Sequence, residues 1–144
     1  MKSLTRSLPL TALALGALTL APAQAAGLWA GADVTTKDFK IHAGSALLPI
    51  PLIGTLGVEG GVNAGLDEFR IGATLRDLNL PLTRLNAYLG GGLSYQTSSA
   101  NSGAGLYLQG GVRGPLFGPL GWRAGLDTDT KSGFSAGLGL EVRF

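Results

Sequence analysis

The chain of 144 residues has no cysteine, one histidine and a formal net charge of +2, which excludes disulfide scaffolds, zinc–thiolate centres and cysteine nucleophiles. Charged residues make up only 14% of it, and nothing in their balance suggests a nucleic-acid partner. Glycine is the anomaly: 24 residues, set among apolar ones as in "GGGL", "QGGV" and "EGGV", with no collagen period and too much apolar alternation for disorder.

The chain opens "MKSLTRSLPLTALALGALTLAPAQAA". Lys2 and Arg6 precede an apolar stretch from Leu8 to Leu20, and "AQA" at 23–25 places small residues where a signal peptidase cuts. Together these are the parts of a secretory signal peptide. As a membrane-spanning helix the run would be short against the roughly 20 residues required, and it contains Pro9 and Gly16. Cleavage is expected after Ala25, giving a signal peptide over 1–25 and a single exported domain over 26–144. Losing Lys2 and Arg6 brings the basic and acidic residues of that domain into balance.

Past residue 26, apolar residues alternate with small or polar ones at a period of two, the mark of strands with two unlike faces. The alternation predicts eight strands, over 28–34, 39–47, 52–62, 69–76, 85–95, 104–113, 120–126 and 133–144. Helical spacing is nowhere sustained. The connections alternate between two chemistries. "TTKD", "NAGLDE", "QTSSANSG" and "DTDTKSG" are polar, whereas "LPIP", "DLNLPLT" and "GPLFGP" hold Pro49, Pro51, Pro81, Pro115 and Pro119. In an up-and-down meander alternate connections emerge at opposite ends, so the two ends face different surroundings.

One face of the strands collects Asp33, Lys40, Glu59, Arg70, Arg76, Arg113, Arg123, Glu141 and Arg143, together with many of the glycines. The other reads Ile41, Val58, Ile71, Leu89, Leu93, Leu106, Leu108, Leu126 and Leu138, with aromatics at its ends. Phe39, Phe69, Tyr95 and Phe134 stand at the polar-loop ends; Trp122, Phe144 and Phe117 stand at the proline end. A soluble barrel turns its aliphatic face inward, and a membrane barrel inverts this because lipid is its apolar solvent. Aromatic girdles suit two membrane interfaces and serve no purpose in a closed core. Glycine suits the lumen, since eight strands enclose only enough space for side chains. Strands of about 10 residues, tilted near 40°, cover the roughly 25 Å of an outer-membrane apolar band. In hydrocarbon each unpaired backbone group costs several kcal/mol, so the sheet must close on itself. The expected fold is therefore all-β: an eight-stranded antiparallel up-and-down transmembrane β-barrel, its first strand paired with its last and its final strand ending at the interface on Phe144.

The signal peptide, the eight amphipathic strands and the closing "GFSAGLGLEVRF" together resemble the small OmpA/OmpX-type outer-membrane barrels. The resemblance is specific only at the last strand. It implies that Phe134, Leu138, Leu140, Val142 and Phe144 form the C-terminal signal read by the barrel-assembly machinery. It also implies a bacterial outer-membrane location after export, lipid as the surrounding partner, proline turns toward the periplasm and polar loops outward. The polar loops are shorter than is usual for surface adhesins of this group. A monomer without cofactor or metal is expected.

Catalytic chemistry is sparse. His42, the one histidine, could serve as base in a lipid-modifying hydrolase, but Ser45 has the opposite strand parity and would face away from it. The acidic segments "GADV" and "GLDTD" lack calcium-loop spacing. The lumen charges are expected to brace the interior: Lys40, Glu59 and Arg70 as one ion-paired group on three adjacent strands, and Arg123 with Glu141. Tyr88 and Tyr107 point inward and fill more of the space. The reading is a structural or surface barrel without catalysis. The alternatives are a soluble exported barrel binding an apolar ligand and, third, a lipid-modifying enzyme.

Overall fold

The computed structural model describes residues 27–98 and 102–144, and the stretch read as a signal peptide, 1–25, lies outside them. Eight strands follow in chain order: β1 Leu28–Thr35, β2 Phe39–Ile50, β3 Gly54–Asn63, β4 Glu68–Asn79, β5 Asn86–Gln96, β6 Gly103–Phe117, β7 Leu120–Asp129 and β8 Gly133–Arg143. Each pairs antiparallel with the next, and β1 pairs with β8 to close the barrel. The closing seam sets Ala30 against Val142, Ala32 against Leu140 and Val34 against Leu138. Closure leaves no strand edge unpaired, so the backbone needs no solvent to satisfy it.

Several strands run further than the alternation indicates, three of them at the proline end. There β2 continues through Pro49, β4 through Asn79 and β6 through Pro115 to Phe117. Pairing shifts register at Ala46/Leu48, Leu75/Leu78 and Pro115/Phe117, all beside the proline-bearing connections. A bulge tolerates proline because it leaves ladder positions where a missing N–H costs nothing. The bulge in β4 also re-aims a charge. Asp77 follows the lumen-facing Arg76, so strict alternation would turn it outward onto the apolar face. It adopts a left-handed backbone, φ 60°, within the register shift, and its carboxylate reaches Arg113 and Arg143, two lumen-face arginines.

Burial assigns the faces. The aliphatic face lies outside, with Ile71 66% exposed, Leu108 66% and Leu138 62%. The buried side chains are instead polar, among them His42, Glu59, Arg76, Arg113, Arg123 and Glu141. Trp29, Tyr88 and Tyr107 are the buried hydrophobic side chains among the described residues, and each carries a polar atom. At the polar-loop end Phe39, Phe69, Tyr95 and Phe134 are exposed on the outer surface, Phe69 directly opposite Tyr95. Phe117 and Phe144 are exposed at the proline end, and half-buried Trp122 stands on the same face opposite Leu140.

Candidate functional site

The lumen is built from aromatic rings laid across glycines. Tyr88 on β5 reaches over Gly111 and Gly125, so a Cβ added at Gly111 would lie 2.8 Å from its hydroxyl. Tyr107 on β6 covers Gly72 in the same way, at 2.6 Å, and Trp29 on β1 covers Gly44 and Gly57, at 2.7 Å from the latter. Each ring also carries a guanidinium: Arg76 lies 4.0 Å from the Trp29 ring centre, Arg123 4.4 Å from Tyr88 and Arg70 5.1 Å from Tyr107. Stacked in this way, an arginine recovers part of the cost of leaving water, and its edge stays free for carboxylates.

Two ionic groups follow from those stacks. Near the polar-loop end, Lys40 lies 3.5 Å from Glu68 and 3.6 Å from Asp127, while Arg70 meets Asp127 at 3.1 Å, Asp129 at 3.6 Å and also Glu68. Deeper, Glu59 accepts hydrogen bonds from Trp29 Nε1 at 2.8 Å, Gln109 at 2.8 Å and Arg76 at 3.2 Å. Glu141, only 1% exposed, pairs with Arg76, with Arg113 at 3.1 Å and with Arg123 at 3.4 Å. A recess of about 60 Å³ borders Lys40, Arg70, Tyr107, Glu59 and Arg123, room for water molecules alone.

The expected grouping of Lys40, Glu59 and Arg70 is not what the chain forms. Lys40 stands opposite Asn63, whereas Glu59 stands opposite Gly44, four residues along β2. At about 3.3 Å per residue that separation is beyond an ion pair. The bulge at Ala46/Leu48 and the turn before Gly54 set this register, and the sequence pattern carries neither. Glu59 is diagonal to Arg70, whose partner is Gly61, yet Arg70 turns the other way. Its acceptors are Glu68, Asp127 and Asp129, which lie in the polar connections by the alternation but in the structure extend β4 and β7. Their strand parity matches that of Arg70 and Arg123, which turns them inward. Trp29 has the parity of Gly31 and Asp33, and this places its ring in the lumen. Arg123 and Glu141 do meet, across a diagonal in which Arg123 faces Gly139 and Glu141 faces Gly121.

His42 lies among charges rather than hydroxyls. Its Nδ1 faces Asp33 at 3.2 Å, and its Nε2 lies 3.3 Å from Glu141 and 2.9 Å from Arg123 Nη1. Ser45 pairs in register with the exposed Val58, and its hydroxyl donates to the Ala46 carbonyl at 3.3 Å. The Ser135 hydroxyl donates to Asp127 at 2.8 Å. The ligand atoms of His42, Glu59 and Glu141 come within 4.8 Å of one another, a spacing that could hold a metal ion. Arg123 Nη1 stands 2.9 Å from the first, 3.7 Å from the second and 3.4 Å from the third. The guanidinium fills the position that an ion would need and supplies its charge.

No family model matches the chain, and no curated protein matches its sequence. Among solved structures it is similar to one described as "De novo design of transmembrane beta-barrels", with a TM-score of 0.57 and 15% identity, over 83% of this chain and 96% of that one. At that identity the likeness concerns the fold alone, the closed eight-stranded antiparallel barrel.

Proposed function

We propose that the chain is a small integral outer-membrane barrel with a structural or surface role, a lumen closed by its own ion pairs, and no catalysis. The observation that carries this reading is the inverted burial: Arg76, Arg113, Arg123, Glu59 and Glu141 are 1–7% exposed inside, while Ile41, Ile71, Leu108 and Leu138 stand 43–66% exposed outside. Such an outer surface would aggregate in water and is stable against lipid. The same inversion speaks against a soluble barrel binding an apolar ligand, whose aliphatic face would have to line the lumen. The charged neighbours of His42, namely Asp33, Glu141 and Arg123, favour a bracing role for that ring over a hydrolase. Glu141 links groups lining the recess, His42 and Arg123, to Arg113 at the proline end, which supports a plugged lumen.

The barrel would reach the outer membrane by export, loss of residues 1–25 and insertion through the assembly machinery, and would act there as a monomer. Cell fractionation with heat-dependent gel mobility tests the membrane reading, which predicts a heat-modifiable species in the outer-membrane fraction with an intact mass starting at Ala26. Recovery from the soluble periplasm would overturn it. Planar-bilayer recordings should show no steady conductance from purified protein; a reproducible open channel would replace the structural role with transport.

A further inference from the structure

At the proline end of the barrel lies a recess of about 410 Å³. Three arginines line it from three elements: Arg84 from the β4–β5 connection, Arg113 from β6 and Arg143 from β8, with no carboxylate in the lining. Asp77 stands beside it, 3.5 Å from Arg113 and hydrogen-bonded to Arg143. Arg113 also reaches Glu141 Oε1, but Arg76 shares that oxygen.

A guanidinium has five N–H donors, so one carboxylate and part of another leave three arginines short of acceptors. The shortfall is visible. Among the described residues Nε of Arg113, a side chain only 9% exposed, and Nε of Arg143 are buried with no hydrogen-bond partner, as are those of Arg70 and Arg76 deeper in the lumen. Arg84 is exposed and has no ion-pair partner among the described residues. Its turn is nonetheless held in shape, for the Thr83 hydroxyl donates to the Leu80 carbonyl at 2.9 Å and accepts the Leu85 N–H at 3.2 Å.

We infer that this mouth binds a phosphate group. Convergent guanidinium forks recognise planar or tetrahedral oxyanions bidentately. A carboxylate offers two oxygens, whereas a phosphate group offers enough to accept from three arginines approaching from different sides. The recess has the size of a small-ligand site, and Pro115, Pro119 and Leu120 give it an apolar wall. Free phosphate and a phospholipid headgroup share this chemistry. The site does not depend on residence in the outer membrane, because the fold itself places Arg84, Arg113 and Arg143 around one recess.

The test uses the full folded barrel. In a non-ionic detergent, calorimetric titration with inorganic phosphate at constant ionic strength should saturate, and acetate should not. Arg84→Ala should weaken phosphate binding at least tenfold while leaving heat-modifiable folding intact, since Arg84 braces nothing, and Arg84→Lys should weaken it less. Native mass spectrometry of barrel released from phosphatidylglycerol vesicles distinguishes the sources. A lipid adduct kept by the wild type and lost in Arg84→Ala makes the headgroup the ligand; saturable phosphate binding without an adduct makes it free phosphate. A wild type that binds neither, or equal binding by Arg84→Ala, overturns the inference.

Discussion

The indole nitrogen of Trp29 on β1 donates to the carboxylate of Glu59 on β3 at 2.8 Å, across the intervening strand β2. The ring that makes this bond also carries Arg76 on its face, and Arg76 returns to Glu59 at 3.2 Å. Ring, cation and carboxylate thus form a closed unit within the lumen. Trp29→Phe removes the donor together with the benzo-ring atoms that cover Gly44 and Gly57. It should lower unfolding stability in lipid vesicles by about 2–4 kcal/mol, from the lost hydrogen bond to a charged, buried acceptor and the void left by the smaller ring. Urea titration followed by circular dichroism measures it.

Removing the carboxylate is a larger change. Glu59→Ala leaves Arg76 and Arg123 with less negative charge in a confined space, at an expected cost of about 3–5 kcal/mol. Lys40→Ala should cost less, because the Lys40 side chain is 15% exposed and Glu68 and Asp127 both keep Arg70. The same titration ranks the two variants, and a Lys40→Ala penalty equal to that of Glu59→Ala would contradict this division of the lumen.

Two glycines of β1 and β3 should respond oppositely to one methyl group. At Gly31 an added Cβ would lie 2.5 Å from the Leu140 carbonyl oxygen and 2.6 Å from His42 Nε2. Backbone cannot yield there, so Gly31→Ala should destabilise by about 1–3 kcal/mol. At Gly60 the nearest atom is the Arg70 carbonyl oxygen at 3.5 Å, an ordinary contact. Gly60→Ala should be neutral or stabilising by up to about 1 kcal/mol through the unfolded chain. Paired denaturation curves check both signs.

The outer face is tested at the middle of the closing strand. Leu138→Arg sets a guanidinium on the apolar surface, where a position near the bilayer midplane costs about 2–4 kcal/mol. Leu138→Ala should change stability far less. Refolding yield into vesicles reads the difference, and a harmless arginine that is accessible to water-soluble reagents would reverse the face assignment.

Phe144 is 53% exposed and its N–H donates to the Leu28 carbonyl at 3.0 Å, so its ring stands outside while its backbone extends the β1–β8 seam. Deleting it should reduce the amount of heat-modifiable barrel in the outer membrane without disturbing a lumen contact. Quantitative gels of the membrane fraction would reveal unchanged levels if assembly does not depend on it.

Strand number, antiparallel order, closure and the common face of the nine charges within the alternating runs were legible in the sequence, because period-2 alternation is local and a sheet converts it directly into two faces. His42, Glu59, Arg70, Arg123 and Glu141 were readable as inward by the same parity. Which of them touch was not, with Arg123 and Glu141 the pair that parity and a short hairpin sufficed to bring together. Partner choice depends on register, and register depends on bulges at Ala46/Leu48 and Leu75/Leu78, where one extra residue moves an entire strand relative to its neighbour. It depends as well on contacts through the lumen, where Arg76 reaches Glu141 from β4 to β8 and Gln109 reaches Glu59 from β6 to β3. Such contacts join strands that are not hydrogen-bonded neighbours. They exist only once the sheet has curled shut, so only the tertiary structure could decide them.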